Sequence, residues 1–267
     1  MVLNHTNGGA QPRQSRYRTM ALIRATGGAH RSQYSPEHMT TLPPAENTVA
    51  AAFNARAEQY DQWFDEHAAL YRAELTAVAE LLAPVQAAAG TGSEGLEIGV
   101  GTGRFAAPLG ISRGLEPAPR MAQLARARGI DVVPGVAEDL PFDNGRFAYT
   151  AFLTSLCFVN DPARALREAR RVTVGGGAVL VAYLNRAGPA GQELAARQAE
   201  DPYYSHAHLM TARELEALLR GAGFTPEDSR QVLVGPDGSP VVRPGAGEGL
   251  FCVLRDRAAG AASHVQG

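Results

Sequence analysis

The sequence predicts an α/β protein built on a doubly wound, seven-stranded, mostly parallel sheet, with its last strand antiparallel and a helical cap. Three observations predict it. From Leu96 onward, short apolar runs alternate with amphipathic stretches, as parallel strands joined by covering helices would. The first run ends in a glycine-rich turn, Gly99-Val100-Gly101-Thr102-Gly103. The last two runs, 231–234 and 250–254, are separated by a Gly- and Pro-rich stretch with no helical pattern, so the final strand should be reversed.

Residues 1–46 have no apolar periodicity and are rich in Gly, Ser, Thr, Gln and Pro, so a disordered extension is expected there. Arg13, Arg16, Arg18, Arg24 and Arg31 face a single acid before position 40, Glu37, a balance shared with organellar transit peptides. A true start at Met39 or Met20 is the plainer expectation, and residues 1–38 should be dispensable. The domain is expected over 47–257, with cap helices over 47–84 and a frayed tail over 258–267.

Ala50, Phe53, Ala57, Tyr60, Phe64 and Ala68 recur at helical steps and predict one amphipathic helix. A second, through Leu75, Val78, Leu81 and Leu82, should stop at Pro84. Leu96-Glu97-Ile98 reads as the first strand, with helix resuming near Arg104 after the turn. The second strand ends at Leu115-Glu116, and Pro119 opens a helix that Gly129 ends. Val132-Val133 is the third strand and 147–153 the fourth. Asp161-Pro162 caps a helix burying Leu166, Ala169 and Val172, which Gly175-Gly176-Gly177 should halt before a fifth strand over 178–184. Thr211 and Glu214 spell a capping box for a helix carrying Leu215, Leu218 and Leu219.

The formal net charge of −2 gives no electrostatic case for nucleic acid. No apolar run approaches the roughly 18 residues of a membrane span. The two cysteines, Cys157 and Cys252, lie too far apart in sequence to suggest a disulfide scaffold or a zinc site. A cytoplasmic protein, monomer or homodimer, acting on a small molecule is expected. All 25 basic residues are arginine, as a GC-rich genome would produce.

In open α/β sheets ligands bind at the carboxyl ends of the strands. Gly99 and Gly101 let the backbone turn there and approach a ligand, and a helix after Gly103 would aim its N-terminus at it. A nicotinamide turn would need glycine where Arg104 stands, so that reading fails on spacing. Two acids flank the turn. Glu97 precedes it and Glu116 ends the next strand. One carboxylate matches a ribose diol and the other an α-amino group. A ligand carrying both is S-adenosylmethionine (SAM).

The stretches LEIGVGTGRFA, GLEPAPRMAQLARARG and GVAEDLPF, in that order, resemble the class I SAM-dependent methyltransferases of the small-molecule, "methyltransferase type 11" kind. LTSLCFVNDPARALREARRV, MTARELEALLRGAGF and the leading FNARAEQYDQWF extend the likeness over about 48–255. The resemblance implies that Glu97, Gly99, Gly101 and Gly103 hold the methionine end of SAM. It implies that Glu116 binds the ribose hydroxyls, that Pro117 and Met121 pack on the adenine side, and that Ala137, Glu138 and Leu140 bracket the adenine. Thr154 and Ser155 would lie where the transferable methyl points, and Tyr60 and Trp63 would close over the cofactor. Val136 stands where many relatives carry aspartate, which leaves adenine recognition to backbone groups and Glu138, and Ala148 stands where relatives often carry an aspartate that makes contacts from the fourth strand.

No histidine lies between His67 and His206, so the central domain lacks the commonest general base. Either the acceptor is already nucleophilic or the base comes from residues 185–210, a long connection carrying Tyr203, Tyr204, His206 and His208 and expected to form a substrate lid. His206 and Tyr204 are the catalytic candidates. Metal binding at the His206/His208 pair is not expected, for want of a third ligand. A SAM-binding regulator without turnover is the alternative reading.

Overall fold

The computed structural model describes residues 44–201 and 203–260, with side chains from residue 49 onward. The expectations for the extension before residue 44, including its alternative starts and dispensability, and for residues 261–267 lie outside the described residues.

Among the described residues, eight strands form one sheet: β1 (Gly95–Ile98), β2 (Arg113–Leu115), β3 (Asp131–Val133), β4 (Phe147–Leu153), β5 (Thr173–Leu184), β6 (Phe224–Val234), β7 (Pro240–Pro244) and β8 (Phe251–Ala258). Their order across the sheet is 3-2-1-4-5-8-6-7. Strands β1 to β5 pair parallel with their neighbours. The last strand, β8, is antiparallel to both β5 and β6, with Val181 opposite Leu254 and Arg230 opposite Val253. The expected α/β architecture with a reversed closing strand is therefore present.

The strand count is eight where seven were expected. Within the Gly- and Pro-rich stretch, β7 pairs antiparallel with β6, Val232 opposite Val242. A tight turn joins them: Gly235 N–H donates to Ser239 O (2.7 Å), and Gly238 sits at φ 81°. Asp-Gly between apolar runs is a hairpin signal, here diluted by its glycine and proline neighbours.

Alternation along β5 divides the core. Leu180, Ala182 and Leu184 face the layer that holds Trp63, Phe64, Val78 and Leu81. Val179, Val181 and Tyr183 face the opposite layer, with Leu166, Ala169, Leu215 and Leu219. Seven α-helices among the described residues supply the layers: α1 (Pro44–Ala55), α2 (Ala57–Glu66), α3 (Ala68–Ala89), α4 (Pro119–Ala127), α5 (Pro162–Val172), α6 (Pro189–Arg197) and α7 (Ala212–Gly221). None of them is long and apolar enough to cross a membrane.

Local signals explain the ends of α4, α5 and α7. Pro119 is the first residue of α4, Asp161 accepts from Arg164 N–H (2.9 Å) to cap α5, and Thr211 and Glu214 form both bonds of the capping box on α7.

Four expectations are corrected. The first of the two expected cap helices is broken at Arg56 (φ −131°, ψ 27°) into α1 and α2, because α1 packs on α4, while the second, α3, starts after His67 and lies across the sheet near β5–β8. Pro84 does not stop α3, which runs to Ala89. Its lost bond falls at the exposed Glu80 carbonyl, and beyond it Gln86 Nε2 anchors the helix on Leu109 O (2.9 Å) and Tyr149 Oη (3.0 Å). No helix follows the glycine turn, and residues 101–110 are successive turns. Pro108 has no N–H for the Arg104 carbonyl, which takes the Tyr71 hydroxyl instead. The triple glycine does not halt α5 but forms the irregular start of β5, where a Cβ on Gly177 would lie 2.5 Å from Ala148 O.

The tail expected to fray at 258 is held through Ala259, whose N–H donates to Gly223 O (3.1 Å).

Leu166 is fully buried on the inner face of α5. Leu166→Ala should cost about 2–5 kcal/mol. Chemical denaturation checks this, and a loss under about 1 kcal/mol would show that the α5 layer is not packed as described.

Candidate functional site

The carboxyl ends of β1, β2 and β4 meet where the strand order reverses, between β1 and β4. A cavity of about 930 Å3, open to solvent, lies above them. Its floor is the glycine turn. Gly99 and Val100 N–H groups both donate to Leu115 O (2.8 and 3.0 Å), which folds the turn back over β2. Gly99 has φ 75°, and a Cβ there would sit 2.5 Å from Ser155 Cβ, so only glycine fits.

The structure places nine of the expected cofactor residues on the cavity wall: Tyr60, Gly99, Gly101, Glu116, Pro117, Met121, Ala137, Glu138 and Thr154. Glu116 is 7% exposed. Its Oε2 accepts from Gly101 N–H and its Oε1 from Ala118 N–H, both at 2.9 Å. Burial pushes its carboxyl up to about 7 despite these two bonds. Glu138 Oε1 accepts from Asn160 N–H (2.7 Å) and Asp161 N–H (3.2 Å), tying one wall to the start of α5.

Three expected residues stand behind the wall. Glu97 is buried beneath the turn, and its Oε2 has no partner among the described residues. Burial, with Glu116 nearby, raises its carboxyl well above the usual range. Gly103 packs against α4, where a Cβ would lie 3.2 Å from Ala125 Cα. Leu140 is buried, its N–H donating to Glu168 Oε2 (2.9 Å). Of the two positions that depart from the family pattern, Val136 lines the cavity, while Ala148 lies at the opposite end of β4 from Thr154.

Thr154, just past β4, has φ 61°. A β-branched residue in this region is strained, and such strain concentrates at ligand sites.

A second cavity, of about 580 Å3, adjoins the first and shares Phe53, Tyr60, Thr154 and Phe158 with it. Trp63, Tyr203 and Tyr204 line the second cavity only. The Tyr203 ring lies 5.2 Å from Phe53 and 5.9 Å from Tyr60, so the 185–210 connection meets α1 and α2 here. Asp201 holds this corner, its Oδ1 accepting from the Tyr203 and Tyr204 N–H groups (both 2.8 Å).

Of the catalytic candidates, Tyr204 is buried in this second cavity, and burial raises its hydroxyl far above its ordinary value. His206 is exposed and lines neither cavity, as is His208. The backbone explains this: Tyr204–His206 is a single 3-10 turn, which directs its first residue inward and its last outward.

Sequence reasoning missed Glu74. It is 3% exposed on α3 and lines the second cavity. A signal was available, since Glu74 shares an apolar stripe with Ala77, Val78 and Leu81, where an acid has no packing role. Phe158, Val159 and Asn160 on the first cavity were also missed, because a loop wall leaves no periodic pattern.

The N-terminal helices are pinned over the turn by charge. Arg104 Nε and Nη2 donate to both oxygens of Asp61 (2.9 and 2.8 Å), and its Nη1 and Nη2 donate to Asp65 (2.8 and 2.7 Å). Arg128 donates to Asp61 Oδ2 (2.8 Å) and to Thr102 O (2.9 Å). These arginines hold the Asp61 carboxyl down at about 2, overcoming its burial.

The donor set fits SAM. A glycine turn, a buried acid with an unpaired oxygen and a second acid at the next strand suit a ligand with a cationic amino-acid end and a ribose. Among the described residues, no group of three or more His, Cys, Asp or Glu could hold a metal ion.

Comparison with known proteins agrees. Residues 96–181 match the family model of a methyltransferase domain. An uncharacterized protein of Methanocaldococcus jannaschii is 32% identical over 205 residues, covering 76% of this chain and 96% of that protein. One from Mycobacterium tuberculosis is 37% identical over 203 residues, covering 75% and 69%. A SAM-dependent methyltransferase of Thermotoga maritima, described as a possible histamine N-methyltransferase, is 37% identical with a TM-score of 0.70, covering 78% and 98%. The Burkholderia thailandensis 1,6-didemethyltoxoflavin-N1-methyltransferase, solved with S-adenosylhomocysteine bound, shares the fold at 20% identity and a TM-score of 0.54, covering 84% and 94%. With the matched domain, these relatives and the glycine turn between two buried acids, the chain belongs to the class I SAM-dependent methyltransferases.

Proposed function

We propose that this chain transfers the methyl group of SAM to a small-molecule acceptor, with the cofactor in the larger cavity and the acceptor in the adjoining aromatic one. The observation that carries this is the pair of buried acids, Glu97 and Glu116, flanking the turn. SAM, when bound, supplies an activated methyl on a sulfonium, so the protein's task is to bind, orient and exclude water.

In this reading Glu116 accepts from the ribose hydroxyls with its remaining lone pairs, and Glu97 faces the methionine amino group through the turn. Met121, Pro117 and Ala137 cover the adenine, with Glu138 at its edge. Gly103 and Leu140 support these contacts from behind. The cap helices over 47–84 and the lid over 185–210 enclose the acceptor. The Thermotoga relative's description is consistent with a small acceptor.

Glu116→Ala should weaken SAM binding by roughly 1.5–3 kcal/mol, about ten- to a hundred-fold. Calorimetry checks it, and unchanged affinity would falsify the ribose assignment.

Tyr204→Ala should raise the acceptor KM or slow turnover while SAM affinity stays within about three-fold. A collapse of SAM affinity instead would place Tyr204 in the cofactor site.

Binding should also depend on pH. A carboxyl pushed up to about 7 is protonated below that pH and must lose its proton before both of its oxygens can accept from the ribose hydroxyls. SAM affinity should therefore fall as pH drops from about 8 to 6, with protons released on binding. Titrations in two buffers of different ionisation enthalpy would show the release, and a flat profile would mean Glu116 stays protonated in the complex.

A further inference from the structure

Glu74 carries an inference that rests on the methyl-transfer reading and sharpens it. Its side chain is 97% removed from solvent, being 3% exposed, yet it lines the aromatic cavity. It has no hydrogen bond or ion pair among the described residues, and no basic side chain lines that cavity. Arg104, which lies over the ring of the cavity residue Phe64, is already shared between Asp61 and Asp65. A second polar group of the cavity, Trp63 Nε1, is also buried without a partner.

A buried acid with no partner rests in its protonated form, and only a cation brought in from outside the fold can hold its charged form there. The walls are right for one. Tyr60, Trp63, Phe158 and Tyr204 line the same cavity as the carboxyl, and aromatic walls with one anion recognise ammonium ions. Thr154 and Tyr60, shared with the cofactor cavity, place the cation beside the expected methyl position.

We propose that the acceptor is a small amine, protonated in solution, whose ammonium group is received by Glu74 inside the aromatic cavity. Glu74 then takes one proton from the ammonium, leaving a neutral amine and a neutral acid, the pair that low polarity favours. The amine lone pair forms the new N–CH3 bond as the S–CH3 bond breaks, its electron pair passing to sulfur. The product leaves as a methylammonium, and the proton on Glu74 returns to water. Burial holds the Glu74 carboxyl up at about 8, so it can accept a proton at neutral pH once a cation has drawn it into its charged form. The titratable groups facing it are the tyrosines Tyr60, Tyr203 and Tyr204, all with raised values of their own, so Glu74 is the group able to change charge near neutrality.

The test uses the full chain saturated with S-adenosylhomocysteine and matched ligand pairs: benzylamine with benzyl alcohol, phenethylamine with 2-phenylethanol, cyclohexylamine with cyclohexanol. Calorimetry should show at least one amine binding about ten-fold or more tighter than its alcohol. Glu74→Gln should erase that preference, while alcohol and S-adenosylhomocysteine affinities and the melting temperature are kept or raised. No amine preference in any pair, or a preference that survives Glu74→Gln, overturns the proposal; the first measurement needs no variant and stands even if Glu74→Gln fails to fold. Repeating the titrations without S-adenosylhomocysteine separates the two ideas. A chain that prefers amines but never binds S-adenosylhomocysteine keeps the ammonium site at Glu74 and loses methyl transfer, and the reverse result does the opposite.

Discussion

The four-way pairing of Arg104 and Arg128 with Asp61 and Asp65 is the joint on which the site depends. Arg104 and Asp61 are only 16% and 15% exposed, and their two-pronged contact is protected from solvent screening. It fastens α2 to the glycine turn, and Arg128 carries the tie onward to α4 through Thr102 O. Without it, Tyr60 and Phe53 lose the geometry that makes them walls of both cavities. The residue that breaks a dinucleotide-type glycine spacing is thus the residue that anchors the cap. The turn gives up a third close approach to a cofactor and gains a lid.

Around that joint the fold tolerates acids it does not neutralise. Glu74, Glu97 and Glu116 are each at most 7% exposed, and none has a basic partner among the described residues. Their raised values run against stability. A carboxyl that ionises at about 7 or about 8 when folded, but near 4.5 when unfolded, favours the folded state at low pH, and that advantage drains away as pH climbs through this window. Surface acids such as Glu58 and Glu214 show the opposite behaviour, held low by arginine or backbone donors. The contrast separates acids held by partners within the fold from acids buried beside a cavity without a basic one.

Much of this was legible in the sequence, for local reasons. Pro119, Asp161 and the Thr211–Glu214 box act within one turn of chain, so their residue types alone reveal them. Glu97 and Glu116 were legible because strand ends and a glycine turn fix where an adjacent acid must sit. What was not legible depended on distant partners. Pro84 is tolerated because Gln86 finds Leu109 and Tyr149, far off in sequence. The turn after Gly103 fails to become helix because Tyr71 supplies the donor that Pro108 lacks. Glu74 sits on a stripe that reads as core, and only the packing of α2 and the 185–210 connection turns that stretch into a cavity wall. His206 is the converse case, a chemically attractive residue that one 3-10 turn points away from the site.

The two cavities have a party wall. Phe53 and Tyr60 belong to both cavities, and they sit on either side of the break at Arg56, where no side chain caps the start of α2. On α1 itself no described side chain is fully buried. Whatever shifts that break shifts a wall of both cavities at once, so the two share one boundary rather than having one each.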